Sequence, residues 1–325
     1  MNTAQLHKET DIILVGSSQI SEDYLKVLLS FGMQPTVVCR KETSAIQFYD
    51  NTGYKVQHGD LTTILSRKES TFDMAIVAVD IENLKTVSEI LLLSGIKKLL
   101  IEKPGGISAE EINSLDNIAN LNQAELLIAY NRRFYSSVLK AKEIIESDGG
   151  VSSFHFEFTE WSHVIDSFKK PKKIKERWFF SNSTHVVDLA FFLGGKPKNI
   201  TCYNAGAGNL KWHSSSSAFS GAGVTYNNAL FSYHADWTAP GRWKVEILTK
   251  SNRIILEPLE ELQIQKIGSV EKKFVEIKNE KDLSFKPGLF NQVKAFLNND
   301  LENFCTIREQ KELMKVYNEI SNYNN

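Results

Sequence analysis

Between residues 11 and 130, short apolar runs alternate with segments of helical periodicity, and few architectures accept that alternation. Residues 11–16, 35–40, 72–79, 97–101 and 126–130 read as buried strands, each with a short apolar run at its centre or end. Between them Tyr24, Leu25, Leu28 and Leu29 mark one helix closed by Phe31-Gly32, and Val87, Ile90, Leu91 and Leu92 mark another ending at Gly95. Ser108-Ala109-Glu110-Glu111 has the form of a capping box ahead of Ile112, Leu115 and Ile118. Residues 56–65 supply a short edge strand and a turn, with His58 in the loop. Strands separated by helices pair through crossovers rather than hairpins. The first part of the chain is therefore expected to be a doubly wound, mostly parallel sheet of the Rossmann type.

The texture changes after a helix over residues 136–147 and the pair Gly149-Gly150. Residues 151–159 alternate at period two, the pattern of a half-buried antiparallel strand. Residues 199–204, 223–233, 243–248, 252–256, 263–267 and 273–277 read as further strands, with helices from Ser183 to Gly194, after Pro287-Gly288, and over residues 307–323. The fold class expected is thus α/β with a second, α+β domain built on a large, mostly antiparallel open sheet. The expected division is 1–122 for the dinucleotide-binding domain and 123–325 for the substrate-binding and oligomerisation domain. An open sheet with one uncovered face leaves an apolar patch, so a homodimer or homotetramer built on that face is expected.

Composition bounds the partners. A formal net charge of −1 in 325 residues, with 24% charged and 42% hydrophobic residues, gives no bulk attraction to nucleic acid or membrane. No apolar run has the length of a membrane span, and the polar residues 1–10 carry no signal core. Cys39, Cys202 and Cys305 are isolated, without metal-ligand spacing, and read as reduced thiols of a cytoplasmic protein; no metal site is expected.

Strand, glycine turn, helix and strand over residues 11–40 form the opening unit of a dinucleotide-binding fold. The fingerprint G-x-G-x-x-G is present as Gly16, Ser18 and Ser21, so two glycines have become serines. Gly16, Ser17, Ser18 and Ile20 are the expected phosphate-loop contacts, because a helix N-terminus with serine hydroxyls can still hold phosphate. An NAD site usually has a carboxylate at the end of the second strand. Here that strand ends in Cys39, Arg40 and Lys41, which suits a 2′-phosphate and favours NADP over NAD; the plainer reading of the pair is an exposed basic turn. Val79, Asp80, Glu102 and Lys103 complete the expected cofactor contacts. Ile101-Glu102-Lys103-Pro104-Gly105-Gly106 ends a buried strand with a charged pair at its carboxyl edge, where ligands of such sheets bind. Pro104 is expected to hold Lys103 on a stiff, extended segment, from which it can hydrogen-bond a hydroxyl or move its proton. His185 is expected in the first turn of a helix, where the dipole lowers imidazole basicity, with Asp188 on the same face to orient the ring.

With Glu102-Lys103-Pro104, Asn131-Arg132-Arg133-Phe134 and Ser183-Thr184-His185-Val186-Val187-Asp188-Leu189 in that order, the chain resembles the glucose–fructose oxidoreductase / inositol dehydrogenase (Gfo/Idh/MocA) family over nearly its whole length. The resemblance implies a nicotinamide-dependent oxidoreductase acting on a sugar, polyol or sugar nucleotide, with Lys103 and His185 flanking the reacting carbinol. Tyr130, Asn131, Arg132, Trp161, Arg177, Trp178, Ser181 and Arg242 are the expected substrate contacts, with Trp243 beside Arg242. Two departures stand out. Many members carry an aspartate where this chain has Ser181, and the phosphate loop has lost two glycines. Both also fit a non-catalytic dinucleotide- or sugar-binding protein that uses the fold as a sensor or scaffold.

Overall fold

The computed structural model describes residues 10–67 and 71–323; the polar N-terminal stretch, Thr10 apart, lies outside the described residues. The chain forms two units, one of residues up to Asn131 with Lys281–Glu312, the other of Arg132–Glu280 with residues from Leu313 onward.

The first unit is built on a seven-stranded sheet. Its strands are β1 (Ile12–Val15), β2 (Thr36–Cys39), β3 (Val56–His58), β4 (Met74–Val77), β5 (Lys98–Glu102), β6 (Glu125–Ala129) and β15 (Cys305–Thr306), in the order β15-β6-β5-β4-β1-β2-β3. The pairings among β1 to β6 are parallel, and only β15 runs against its neighbour. All four residues of β1 are buried, as a strand covered on both faces requires. From β1 the chain winds first to β2 and β3 on one side and then to β4, β5 and β6 on the other, which makes the β1–β4 gap the switch point where a ligand crevice opens. His58 is the exposed last residue of the edge strand β3 rather than a loop residue. The capping box closes one residue early: Glu111 N–H donates to Ser108 Oγ, while Glu111 Oε2 accepts from Ile107 N–H. The strand pairing carries β6, and with it residues past 122, into this sheet, and residues 281–312 return to the same unit.

The second unit holds an eight-stranded sheet of β7 (Ser153–Phe158), β8 (Pro197–Ala205), β9 (Ala218–Thr225), β10 (Leu230–Asp236), β11 (Trp243–Leu248), β12 (Asn252–Leu256), β13 (Gln263–Lys266) and β14 (Lys273–Phe274). Their order is β14-β13-β12-β11-β7-β10-β9-β8, antiparallel throughout except for β7 beside β10. The run expected as one strand over 223–233 is a hairpin, because Asn228 takes a φ of 63° and its N–H donates to Thr225 O. Phe154, Phe156 and Phe158 of β7 are buried. They meet the helix Thr184–Gly194, where Phe191 lies edge-on to Phe154 and Phe156. That helix comes so close that a Cβ on Gly194 would lie 2.5 Å from the Phe154 ring. On the opposite face the exposed residues include Thr201, Tyr203, Ser220, Ala222, Leu230, Ser232 and His234. Tyr203 and Leu230 apart, the expected apolar patch is thus a mostly small and polar surface, since the period-two alternation places Phe154, Phe156, Phe158, Phe219, Phe231 and Tyr233 on the other side. Among the described residues no helix is long and apolar enough to cross a membrane.

Candidate functional site

In the first unit, β1 runs into Gly16, whose φ of +139° few side chains tolerate. A Cβ there would lie 2.2 Å from the Ala78 carbonyl oxygen, so the turn admits only glycine. Its N–H donates to Val38 O, which seats the turn between the ends of β2 and β4. Ser18 has an ordinary extended backbone, φ −86°, and precedes the helix Gln19–Ser30, so the second fingerprint position demands no glycine. Ser21 is wholly buried and its hydroxyl donates to Ala78 O at 3.1 Å. The third serine therefore ties the helix to the end of β4 and keeps its Cβ out of the crevice.

This turn opens into a cleft of about 660 Å³ that brings together Gly16, Ser17, Ser18, Arg40, Lys41, Val79 and Asp80 from the expected contacts. Ile20, Glu102 and Lys103 are not in its lining; Cys39, Ser44, Asp60 and Thr86 are. The Cys39 thiol donates to Lys41 O, and burial pushes its pKa up, which keeps it a protonated lining group. Hydroxyls at a helix start, a narrow glycine turn and two cations are a donor set that fits the phosphates of a dinucleotide.

At the end of β5, Gly105 N–H donates to Glu102 O, so the segment is a tight turn and not the extended stretch expected. The turn is held from two sides. Tyr24 donates its hydroxyl to Glu102 Oε1 at 2.8 Å, and Gln310 Nε2 donates to Pro104 O at 3.0 Å. Burial raises the Glu102 carboxyl above its ordinary range, against the lowering effect of the Tyr24 hydrogen bond. In the same unit Tyr130 is buried, and Asn131 donates to Pro287 O at 2.9 Å.

In the second unit a turn of π-helix, Phe179–Ser183, runs directly into the helix Thr184–Gly194. His185 therefore follows a full helical turn and does not sit at an N-terminus, so the expected dipole effect has no basis. Its ring centre lies 6.0 Å from that of Trp243. Asp188 is wholly buried and accepts from Arg133 Nε at 2.8 Å and Nη2 at 2.6 Å, an anchor the sequence reading did not assign. Ser181 donates to Trp178 O. A second buried carboxylate of this unit is Glu160, two residues beyond β7 and 1% exposed. It accepts from Ser183 Oγ at 2.7 Å, from Asn182 Nδ2 at 3.0 Å and from Arg242 Nη1 at 3.4 Å. Burial raises its pKa, and these donors work against the rise.

The Arg242 guanidinium lies 4.7 Å from the Trp161 ring and 4.5 Å from the Trp243 ring, and Arg132 lies 4.7 Å from Trp243. Burial is the main cause of the lowered Arg132 pKa. Within this unit the structure thus gathers Arg132, Trp161, His185, Arg242 and Trp243. It sends Arg177 to the Tyr323 ring and Trp178 into packing with Phe168 and Trp212. Glu160 was missed; the one signal for it is a carboxylate placed where the period-two run of residues 151–159 stops.

No protein-family model matches the chain, and no curated protein sequence matches it. Solved structures do. A levoglucosan dehydrogenase in complex with NADH superposes with a TM-score of 0.77 at 15% identity, covering 96% of this chain and 95% of that one. An oxidoreductase from Agrobacterium radiobacter in complex with NAD+, L-tartaric acid and magnesium gives 0.77 at 12% identity, covering 95% and 94%. The UDP-N-acetylglucosamine 3-dehydrogenase GnnA from Acidithiobacillus ferrooxidans gives 0.74 at 14% identity, covering 95% and 96%. At these identities the likeness establishes a shared two-unit fold.

Proposed function

We propose that the protein is an oxidoreductase that passes a hydride between a nicotinamide cofactor and a carbinol or ketone carbon of a sugar, polyol or sugar nucleotide. The observation that carries this is the single cleft into which the Gly16 turn, Ser17, Ser18, Arg40 and Lys41 all open. The names of the solved neighbours, which include an NADH complex and a sugar-nucleotide dehydrogenase, support the same reading. In it the first unit binds the dinucleotide and the second recognises the substrate. Arg40 and Lys41 favour NADP over NAD, because they stand where a ribose-binding carboxylate would otherwise be. Bound nicotinamide supplies the hydride donor or acceptor. Lys103, fixed on a turn that Tyr24 and Gln310 hold, hydrogen-bonds the substrate oxygen. His185 moves that oxygen's proton, and Ser181 serves as a hydrogen-bonding group only. Arg132 and Arg242 hold substrate hydroxyls. The protein works in the cytoplasm as a homodimer or homotetramer, with Tyr203 and Leu230 as the larger apolar side chains of its outward sheet face.

The test is NADPH consumption with a panel of keto-sugars, followed by absorbance. Lys103→Ala is expected to lower turnover by about 10²–10⁴-fold while leaving NADPH affinity in place. Unchanged turnover in that variant would remove Lys103 from the chemistry. NADPH binding with no turnover on any keto-sugar would favour the non-catalytic binding protein.

A further inference from the structure

We propose that a tryptophan-lined pocket in the second unit binds a neutral saccharide ring, so that the substrate is a glycoside whose second sugar sits there. The end of the substrate that reacts rests on the function proposed above; the saccharide affinity of the pocket does not.

The pocket has a volume of about 740 Å³ and is walled by Trp161, Trp212 and Trp237. Each indole N–H is already donated within the protein: Trp161 to Gly241 O, Trp212 to Ser162 Oγ and Trp237 to Phe158 O, at 3.0–3.1 Å. The rings are thereby fixed in place. Trp212 and Trp237 lie nearly parallel, 5.6 Å apart at 13°, and are almost wholly buried, so the open ring face is that of Trp161, which is 49% exposed. Fixed aromatic surfaces with a few convergent polar groups are the usual composition of a small-molecule site. The uncharged polar groups here are Ser162, Asn209 and Thr238, which can exchange hydrogen bonds with sugar hydroxyls. Charge decides the class of ligand. Of the charged side chains in the lining, Glu160 is buried and paired with Arg242, which leaves one exposed carboxylate, Asp166, and one lysine, Lys211. A phosphate or diphosphate would find no excess of positive charge there, whereas a ring of hydroxyls and C–H faces needs none.

A series of ring contacts links the pocket to His185. Gly241 lines it, and the next residue, Arg242, bridges the rings of Trp161 and Trp243. His185 stands on the far side of Trp243 in that series of contacts, 6.0 Å between ring centres. A substrate reacting at His185 and continuing past Trp243 and Arg242 arrives at Trp161. That path suits two linked sugars better than a single small polyol.

The full chain is probed on an array of neutral oligosaccharides, and hits are confirmed by ligand-observed NMR beside UDP as the anionic control. NADPH is titrated separately on each protein. Neutral glycans containing at least two rings are expected to bind and UDP is not. Trp161→Ala, at a half-exposed position, is expected to weaken glycan binding about tenfold or more, the scale of one lost ring contact. Ala239→Trp, which fills the pocket from an exposed turn, should have a similar effect with NADPH affinity unchanged in both variants. Absence of any neutral-glycan binding, glycan binding indifferent to both substitutions, or UDP binding that depends on Trp161 would each overturn the proposal. Failure of NADPH binding with glycan binding intact would instead count against the oxidoreductase reading alone.

Discussion

The cleft beside Gly16 and the tryptophan-lined pocket are constructed by different means. The cleft is made of chain turns at the carboxyl ends of parallel strands: Gly16 after β1, Arg40 and Lys41 after β2, Val79 and Asp80 after β4. Each turn is specified by residues next to one another in sequence, and the parallel ladder sets their mutual spacing. The second unit's polar cluster is made of side chains far apart in the chain. Glu160 reaches 22 residues to Asn182 and 82 to Arg242, and Arg133 reaches 55 to Asp188. Such a cluster depends on buried charge being paired, and so it should be the more fragile of the two to single substitutions.

Breaking the Arg133–Asp188 pair gives the largest expected effect. Asp188→Ala leaves a guanidinium buried at 2% exposure without its carboxylate and should cost about 3–5 kcal/mol, measured by denaturant unfolding. Replacing both partners, Arg133→Met with Asp188→Leu, should recover most of that loss; if it does not, the pair contributes more than mutual neutralisation. Acid comes next. His213 is wholly buried, hydrogen-bonded to Ser216 O and Tyr323 Oη, and its burial lowers its pKa from 6.5 to about 4. The unfolded chain therefore binds the proton first, and stability falls as pH drops from 6.5 towards 4, by about 3 kcal/mol in full. Glu102 and Glu160 run the other way, because their raised pKa values let the folded state take up a proton more readily. The His213 contribution is isolated by comparing His213→Gln with the native protein: the variant should lose less stability between pH 7 and pH 5, and equal losses would refute it.

The cleft predicts smaller, more local effects. Gly16→Ala forces a Cβ against the Ala78 carbonyl in a left-handed conformation and should cost about 1–3 kcal/mol together with NADPH binding. Ser21→Gly should cost about 1 kcal/mol for its lost hydrogen bond and keep NADPH binding, as thermal unfolding with and without NADPH would reveal. Smallest is Arg40→Ala, expected to weaken NADPH about tenfold, roughly 1.4 kcal/mol, and to leave NADH unaffected. Equal weakening of both cofactors would detach Arg40 from the 2′-phosphate.

The same contrast explains what could be read from the residues alone. The parallel sheet, its glycine turn and the basic end of β2 are local patterns, and the structure places them as expected. The conformation at Lys103 was not legible, because proline leaves both an extended and a tightly turned backbone open, and the choice fell to Gly105 N–H and the distant Gln310. The π-turn before His185 escaped notice because its residues, Phe179 to Ser183, carry no helix-start signal, yet it removes His185 from a helix terminus. The 225–230 hairpin turns on Asn227-Asn228, which a run of apolar neighbours concealed. Glu160 and Arg133 owe their meaning to partners that only the folded sheet and helix bring within hydrogen-bonding distance.

The proposal that this is a nicotinamide enzyme is tested most directly by adding NADPH, and separately NADH, to the purified chain and following nicotinamide fluorescence. Saturable binding of both, tighter for NADPH, is expected from the Gly16 turn and the Arg40–Lys41 pair. A flat response to both would contradict it and leave the second unit's pocket as the protein's remaining ligand site.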